Sequence, residues 1–189
     1  MSLGNLKFKL PAEGGWWGFE NGRAQPSLRS YLFAMDIAGV LAEMTVVAED
    51  RIRDSKRATQ LLAALLRLVL AARAARAPLP TLAIVRRLCY YANSNGTIIR
   101  SATLRVLRLV AVDRGGALAV LGERLLLSLV RSLERPPAYV WERVQALRLA
   151  RKLLSLAPDS APPALLRCLQ AIASYVSEGS APAPPASGG

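Results

Sequence analysis

The sequence predicts an all-helical protein built from stacked helical repeats. Hydrophobic residues make up 52% of the 189-residue chain but aromatic residues only 6%, so the apolar content is mostly Leu, Ala and Val. Leu and Ala are strong helix formers, and helices rich in them pack with few aromatic residues. Pro and Gly recur between apolar segments of helical length, and no segment alternates β-branched residues with a period of two. We therefore expect helices and no sheet.

About seven helices are expected between two tails. Ser27 can cap a first helix that runs to about Glu49, and a second begins near Asp54 or Ser55 and stops before Pro78. The other five are expected at about 81–93, 97–112, 117–134, 139–156 and 163–177. The segments NSNG, DRGG and APDSAPP separate them, and we interpret DRGG as a helix stop.

The composition divides the chain into three parts. They are an irregular Gly- and Trp-rich segment at 1–26, a helical-repeat domain at 27–178, and a Pro/Ala/Gly-rich tail at 179–189 that we expect to be disordered. Trp16, Trp17 and Phe19 in the first segment are a candidate anchor for a partner protein. The alternative is that these rings pack back onto the first helices.

The helices share a register of 43 residues. RATQLLAALL begins at Arg57, RSATLRVLRL at Arg100 and RVQALRLARK at Arg143, so successive motifs are offset by 43 residues. A period near forty with two helices per unit is typical of armadillo and HEAT repeats, in which each unit covers the apolar face of the one before. The sequence therefore predicts a right-handed α-solenoid of armadillo/HEAT-like repeats.

A row of basic residues follows the same register. On a helical wheel of the fourth helix, Ile98 and Val106 lie in the half that we assign to the core, and Arg100, Leu104 and Arg105 lie in the opposite half. The sixth helix has arginines at the equivalent positions. We predict a basic stripe, interrupted by a leucine in each repeat, as a candidate contact with a partner. Its members are Arg100, Arg105, Arg108, Arg143, Arg148, Arg151 and Lys152.

The sequence leaves the role of this stripe open. It is either a contact surface or the solvated side of Leu-rich helices, where arginine stems cover apolar surface and their heads stay in water. The formal net charge of +12 favours acidic partners, whether protein, nucleic acid or anionic lipid. Direct binding of nucleic acid or anionic membrane is the alternative to protein binding. No aromatic residues alternate with the arginines to stack bases, which argues against it.

The chain lacks the residue patterns of most enzymes. It has no histidine, which is the commonest general base and metal ligand. Cys89 and Cys168 lie far apart and cannot form a four-ligand zinc site, and no phosphate-binding glycine motif occurs. We expect a binding protein with no catalytic residue, cofactor, metal or small-molecule substrate.

Cysteine content and hydropathy indicate the compartment. Two distant cysteines favour reduced, buried thiols rather than a disulfide framework. The first residues lack the apolar core of a signal peptide, and Arg67, Arg73 and Arg76 interrupt the most apolar run before it reaches the ~20 residues of a membrane span. We expect a soluble cytoplasmic protein.

Two motifs resemble the N-terminal helical-repeat domain of the Rictor, or Pianissimo, family. In that family an R-A-A-x-L-R-A-L-R helix is followed one repeat later by E-R-x-Q-A-L-R-L-x-R-K. The first motif is matched here by Arg100, Ala102, Leu104, Arg105, Leu107 and Arg108. The second is matched by Glu142, Arg143, Gln145, Ala146, Leu147, Arg148, Leu149, Arg151 and Lys152. The resemblance covers residues 80–176 well and 50–79 loosely.

The resemblance implies a non-catalytic scaffold and regulatory subunit of TOR complex 2. Such subunits organise the complex around the TOR kinase and help to present substrates, so the implied partners are the TOR kinase and other subunits of the complex. The implied location is cytoplasmic, with membrane association through the complex. Members of the family are very long, so we expect this chain to be a fragment, a shortened form or the product of an incomplete gene model. Its last helix, PALLRCLQAIASYV, then leaves an uncapped repeat end, for which we expect self-association or poor solubility of the isolated chain.

Overall fold

The computed structural model describes residues 28–50, 52–122 and 124–179. Within these ranges the chain forms eight α-helices and no strand, which confirms the all-helical prediction. The helices are α1 Leu28–Glu49, α2 Ser55–Ala74, α3 Thr81–Ala92, α4 Thr97–Val110, α5 Arg114–Gly122, α6 Leu125–Leu133, α7 Val140–Leu156 and α8 Pro163–Gly179. Short 3-10 helices at Pro137–Tyr139 and Pro158–Ser160 precede α7 and α8. Trp16, Trp17, Phe19 and residues 180–189 lie outside the described residues.

The helices pack in two layers. One layer is α2, α4 and α7, and each of these helices packs along the next. The second layer contains α1, α3, α5, α6 and α8; α1 packs on α2, α3 on α4, and α6 on α7. The three helices that carry the motifs at Arg57, Arg100 and Arg143 are therefore neighbours in space. The 43-residue register is the repeat of a helical solenoid, as predicted.

The core fills the space between the layers with aliphatic side chains. Positions that share the register are buried in both α4 and α7, as with Val106 and Leu149, and with Leu107 and Ala150. Each large aliphatic side chain buried in this way contributes about 1.5–3 kcal/mol. The stacking of successive repeats thus contributes to the stability of the domain.

A tyrosine fixes α1 to α3. The hydroxyl of Tyr91 is fully buried and donates a hydrogen bond of 3.0 Å to the carbonyl oxygen of Met44. Burial raises the pKa of Tyr91 to about 12, although the charges of Arg87 and Arg57 act in the opposite direction. The phenol is therefore a donor at all physiological pH values, and it orients α1 on the second layer.

Two local predictions were wrong between residues 111 and 134. The DRGG segment does not end a helix, because α4 already ends at Val110 and Asp113 caps α5. A carboxylate oxygen of Asp113 accepts a hydrogen bond of 2.7 Å from the backbone nitrogen of Gly116, as expected of an N-cap residue. The single helix predicted at 117–134 is two helices, α5 and α6, which pack on each other. The apolar composition of this segment concealed the break after Gly122.

None of the helices in the described ranges is long and apolar enough to cross a membrane.

Candidate protein-contact surface

A buried ion pair joins α4 to α7. The Nε and Nη2 atoms of Arg100 donate hydrogen bonds of 2.8 and 2.7 Å to the two carboxylate oxygens of Glu142. The hydroxyl of Ser132 in α6 donates a further bond of 2.8 Å to Glu142. Arg100 also donates to the carbonyl oxygen of Ser94, at 2.7 Å, and to the hydroxyl of Thr97, at 3.3 Å. Both charged groups thus have hydrogen-bond partners within the protein.

The pair shows that Arg100 does not belong to an exposed stripe. Arg100 is only 6% exposed and Glu142 is 0% exposed, so the prediction of a solvent-facing Arg100 was wrong. The wheel separates apolar from polar positions, but α4 is flanked on both sides by α2 and α7, and Arg100 faces α7. The buried guanidinium is retained because Glu142 neutralises it.

The environment keeps Glu142 ionised. Burial alone raises the pKa of this carboxyl, but the hydrogen bonds from Arg100 and Ser132, together with the charges of Arg100 and Arg135, outweigh it. The pKa of Glu142 is therefore below its ordinary value. The Nε atom of Arg135 lies 3.9 Å from the carboxylate and adds to this effect.

Two apolar residues of α4 also depart from the wheel. Leu104 was predicted on the outer side but is buried, because the helices packed around α4 cover it. The equivalent Leu147 of α7 is 38% exposed. Ile98, predicted in the core, is 72% exposed at the first turn of α4. Only a narrow stripe of α4 reaches solvent, and its centre is displaced from the polar half of the wheel.

That stripe and its counterpart on α7 form one surface, here termed the outer face of α4 and α7. On α4 its successive members are Ile98, Ser101, Arg105 and Arg108, and on α7 they are Trp141, Val144, Arg148 and Arg151. Each α7 residue lies 43 residues after its α4 counterpart. Ile98, Arg105, Trp141, Arg148 and Arg151 are exposed, and the other three are half-buried. The predicted stripe members Arg105, Arg108, Arg148 and Arg151 are thus brought together.

The arginines of the outer face are not neutralised by neighbouring carboxylates. Within the described part of the chain, none of Arg105, Arg108, Arg148 and Arg151 forms a salt bridge or a side-chain hydrogen bond. The pKa of Arg108 is lowered, first by burial and then by the charges of Arg148 and Arg105. Its Nε atom is buried and has no acceptor. The surface is therefore a cluster of mutually repelling cations.

The other two members of the predicted stripe lie at its margin. Arg143 is half-buried and is close enough to Cys168 of α8 to influence that thiol. Burial and then Glu134 raise the pKa of Cys168, and the charge of Arg143 lowers it only in part. Arg143 therefore faces α8 rather than the outer face. Lys152 is half-buried one turn after Arg148.

The N-terminal end of the outer face is apolar, which the wheel did not predict. Trp141 is 76% exposed and occupies the position equivalent to Ile98. Ile98 also lines an open groove of about 650 Å³ between the first turns of α2 and α4, whose other wall includes Ser55, Lys56 and Thr59. The 43-residue register pairs Ile98 with Trp141. The sequence thus indicated an apolar position shared by two repeats, which the wheel of a single helix could not show.

A comparison with known protein families identifies the domain. The family described as "Rapamycin-insensitive companion of mTOR, N-term" matches residues 79–182, which is more than half of the chain. The chain belongs to this family. Searches of curated proteins and of solved structures gave no match. The resemblance to the Rictor family that the two motifs indicated is therefore confirmed.

The structure relates the two Rictor-like motifs to each other. Arg100 is the first residue of the first motif and Glu142 is the first residue of the second, and these two residues form the buried ion pair. The remaining arginines of the motifs divide between the outer face and the side of α7 towards α8. The motifs thus combine one structural contact between repeats with one exposed basic surface.

Proposed function

We propose that this chain is a non-catalytic scaffold and regulatory subunit of TOR complex 2 that acts through protein–protein contacts. The observation that supports this is the family match over residues 79–182, whose description names a companion of mTOR. The matched segment contains the whole of α4 and α7, and these helices carry the outer face. We assign the contact with other subunits to this face, because its cations have no internal partners.

The fold suits such a role. Stacked repeats present an extended, continuous surface to a partner. The buried pair of Arg100 and Glu142 holds α4 and α7 in register, so the arginines of the outer face keep fixed spacings. We place the protein in the cytoplasm, with membrane association through the complex.

Affinity purification from native cells, followed by mass spectrometry, tests this function. We expect the unsubstituted full chain to recover the TOR kinase and other subunits of the complex. Replacement of Arg105, Arg148 and Arg151 by Glu is expected to abolish that recovery while helix content stays unchanged. The matched control replaces Arg67, Arg131 and Arg167 by Glu, because these arginines are exposed on other helices. Equal loss in both variants, or no recovery with the unsubstituted chain, would contradict the proposal.

The unneutralised arginines also favour a second candidate, direct binding of nucleic acid or anionic membrane. An electrostatic interaction of this kind weakens steeply as salt rises, because bound counterions are released. Binding of RNA or of anionic vesicles that persists at about 0.15 M salt, without recovery of TOR complex subunits, would favour this candidate. Loss of all such binding at that salt would exclude it.

A further inference from the structure

We infer that the outer face of α4 and α7 binds an amphipathic acidic segment of a partner protein, with a bulky apolar side chain at one end and carboxylates about 10 Å further along. The inference rests on the proposed function, because it states the chemistry of the protein contact that this function requires. It adds the apolar half of the site, the spacing of the two halves and the class of ligand.

The apolar half is formed by Ile98 and Trp141 at equivalent positions of neighbouring helices. Neighbouring packed helices lie about 8–10 Å apart, so the two side chains can contact one bulky residue from both sides. Exposed tryptophan gives a large contact area at a small cost in side-chain entropy, and it is enriched among residues that dominate binding energies. The groove beside Ile98 provides space for a second apolar side chain.

The basic half lies at a fixed distance from the apolar half. Arg105 follows Ile98 by seven residues and Arg148 follows Trp141 by seven, which is two helical turns or about 10 Å. Arg108 and Arg151 lie about one further turn along the helices. Carboxylates form short, bidentate hydrogen bonds with guanidinium groups, so an acidic segment would neutralise the exposed Arg105 and Arg148 and remove the repulsion that both exert on Arg108.

The separation of the two halves favours a protein segment over other anions. A double-stranded nucleic acid would neutralise the arginines but would leave Ile98 and Trp141 in water. A single strand would stack a base on Trp141 but carries no aliphatic side chain to pack on Ile98. An anionic bilayer would need several bulky apolar anchors around the basic residues, and this face supplies two at one end. An amphipathic acidic helix covers both halves at once, since its own apolar and acidic residues can lie two turns apart on one side.

A labelled synthetic peptide tests the inference with the purified full chain. The probe is a helical peptide about four turns long, with leucines on its first turn and glutamates on the same side from the third turn onward. One control peptide has its leucines changed to serine, and the other has its glutamates changed to glutamine. Fluorescence anisotropy is expected to show affinity at least about tenfold higher for the probe than for either control.

Substitutions separate the two halves of the site. Trp141→Ala is expected to lower the affinity for the probe about tenfold, because the apolar contact is lost. The affinity for the serine control should not change, because that peptide has no leucines to contact Trp141. Arg148→Gln with Arg151→Gln is expected to weaken both peptides. Arg131→Gln with Arg167→Gln, on α6 and α8, is expected to change neither. All of these side chains are exposed, and circular dichroism checks that helix content is retained.

Three results would overturn the inference. The first is equal affinity for the probe and the serine control, and the second is an affinity for the probe that Trp141→Ala leaves unchanged. The third is binding of single-stranded RNA or phosphatidylserine vesicles that is tighter than binding of the probe and is abolished by the same substitutions. If the probe fails while the TOR kinase still co-purifies, the inference is wrong and the proposed function stands. If the probe binds as expected but no subunit of TOR complex 2 is recovered, the ligand class stands and the proposed function is wrong.

Discussion

The guanidinium of Arg100 in α4 and the carboxylate of Glu142 in α7 meet through two hydrogen bonds of 2.8 and 2.7 Å in the interior of the domain. Each group is tolerated there because the other neutralises it. A slip of α7 along α4 by one turn would bury both charges without partners. The pair therefore fixes the register between two successive repeats, and through it the positions of the exposed arginines.

Removal of Glu142 is expected to destabilise the domain strongly. Glu142→Ala leaves the buried guanidinium of Arg100 without a counter-charge, which lowers the free energy of unfolding by about 3–5 kcal/mol. Urea denaturation followed by circular dichroism measures the change. Asp159→Ala is the control, because Asp159 is exposed and 3.9 Å from Arg114, and it should change stability by less than about 0.5 kcal/mol. Similar effects of the two substitutions would contradict the structural role of the pair.

The double replacement of Arg100 by Met and Glu142 by Leu provides a second check. It removes both charges and fills a similar volume, so most of the stability lost in Glu142→Ala should return. A double variant as unstable as the single one would mean that packing, rather than an uncompensated charge, causes the loss.

Acid is expected to weaken this contact. The folded pKa of Glu142 is below its ordinary value, so the contribution of Glu142 is complete above about pH 4.3 and is lost as pH falls through the folded pKa. The difference in free energy of unfolding between the unsubstituted chain and Glu142→Gln should therefore be constant from neutral pH to about pH 5 and shrink at lower pH. Urea denaturation at a series of pH values measures it. A difference that grows on acidification would contradict the ionised state.

Removal of a cation from the outer face is expected to leave the isolated chain as stable as before, or more stable. Arg148 is exposed and repels Arg108, so Arg148→Gln relieves repulsion and removes no internal partner. Any gain should be below about 1 kcal/mol at low salt and should disappear at about 1 M salt, where charges are screened. Urea midpoints at the two salt concentrations test this. A clear loss of stability would show that Arg148 has a structural role.

The cap of α5 offers a test of the revised helix boundary. Asp113→Ala removes the acceptor for the backbone nitrogen of Gly116 and should cost about 1 kcal/mol, whereas Asp113→Ser should retain most of the stability. Thermal or urea unfolding of the two variants measures the difference. If Asp113→Ala were neutral, the DRGG segment would not be acting as a helix start.

Self-association remains a prediction. Leu166 and Tyr175 of α8 are exposed on different sides of this helix, so each leaves apolar side-chain surface at this end of the described solenoid. Light scattering at micromolar concentration should show dimers or larger species. Replacement of Leu166 and Tyr175 by Glu should shift the population to monomer. A monomer before any substitution would rule out this interface.

Periodicity predicted the fold well because it depends on features repeated along the chain. The motifs that begin at Arg57, Arg100 and Arg143 share one offset, and the three helices that carry them pack side by side in one layer. The starts of α2, α3, α4 and α8 also agree with the positions predicted from the capping and helix-breaking residues of the sequence. A local pattern suffices for such features, since caps and breakers act within a few residues.

The candidate site was predicted less well because it depends on which neighbour each helix face meets. A wheel shows that Arg100 is polar and Ile98 apolar, but it cannot show that Arg100 faces Glu142 or that the first turn of α4 projects into solvent. The same limit hid the difference between Leu104 and Leu147, which are equivalent in sequence but have different neighbours. Tertiary contacts decide all three cases.

The Arg100–Glu142 pair also affects how the domain unfolds. Its charges come from α4 and α7, and its third partner, Ser132, comes from α6. Detachment of α7 therefore removes hydrogen-bond partners from both α4 and α6. Helical arrays commonly fray one repeat at a time. Here the loss of α7 would break its three hydrogen bonds with Arg100 and Ser132 at once and would expose the side of α4 that it covers. We therefore expect the segment from α4 to α7 to open as one cooperative unit in hydrogen exchange.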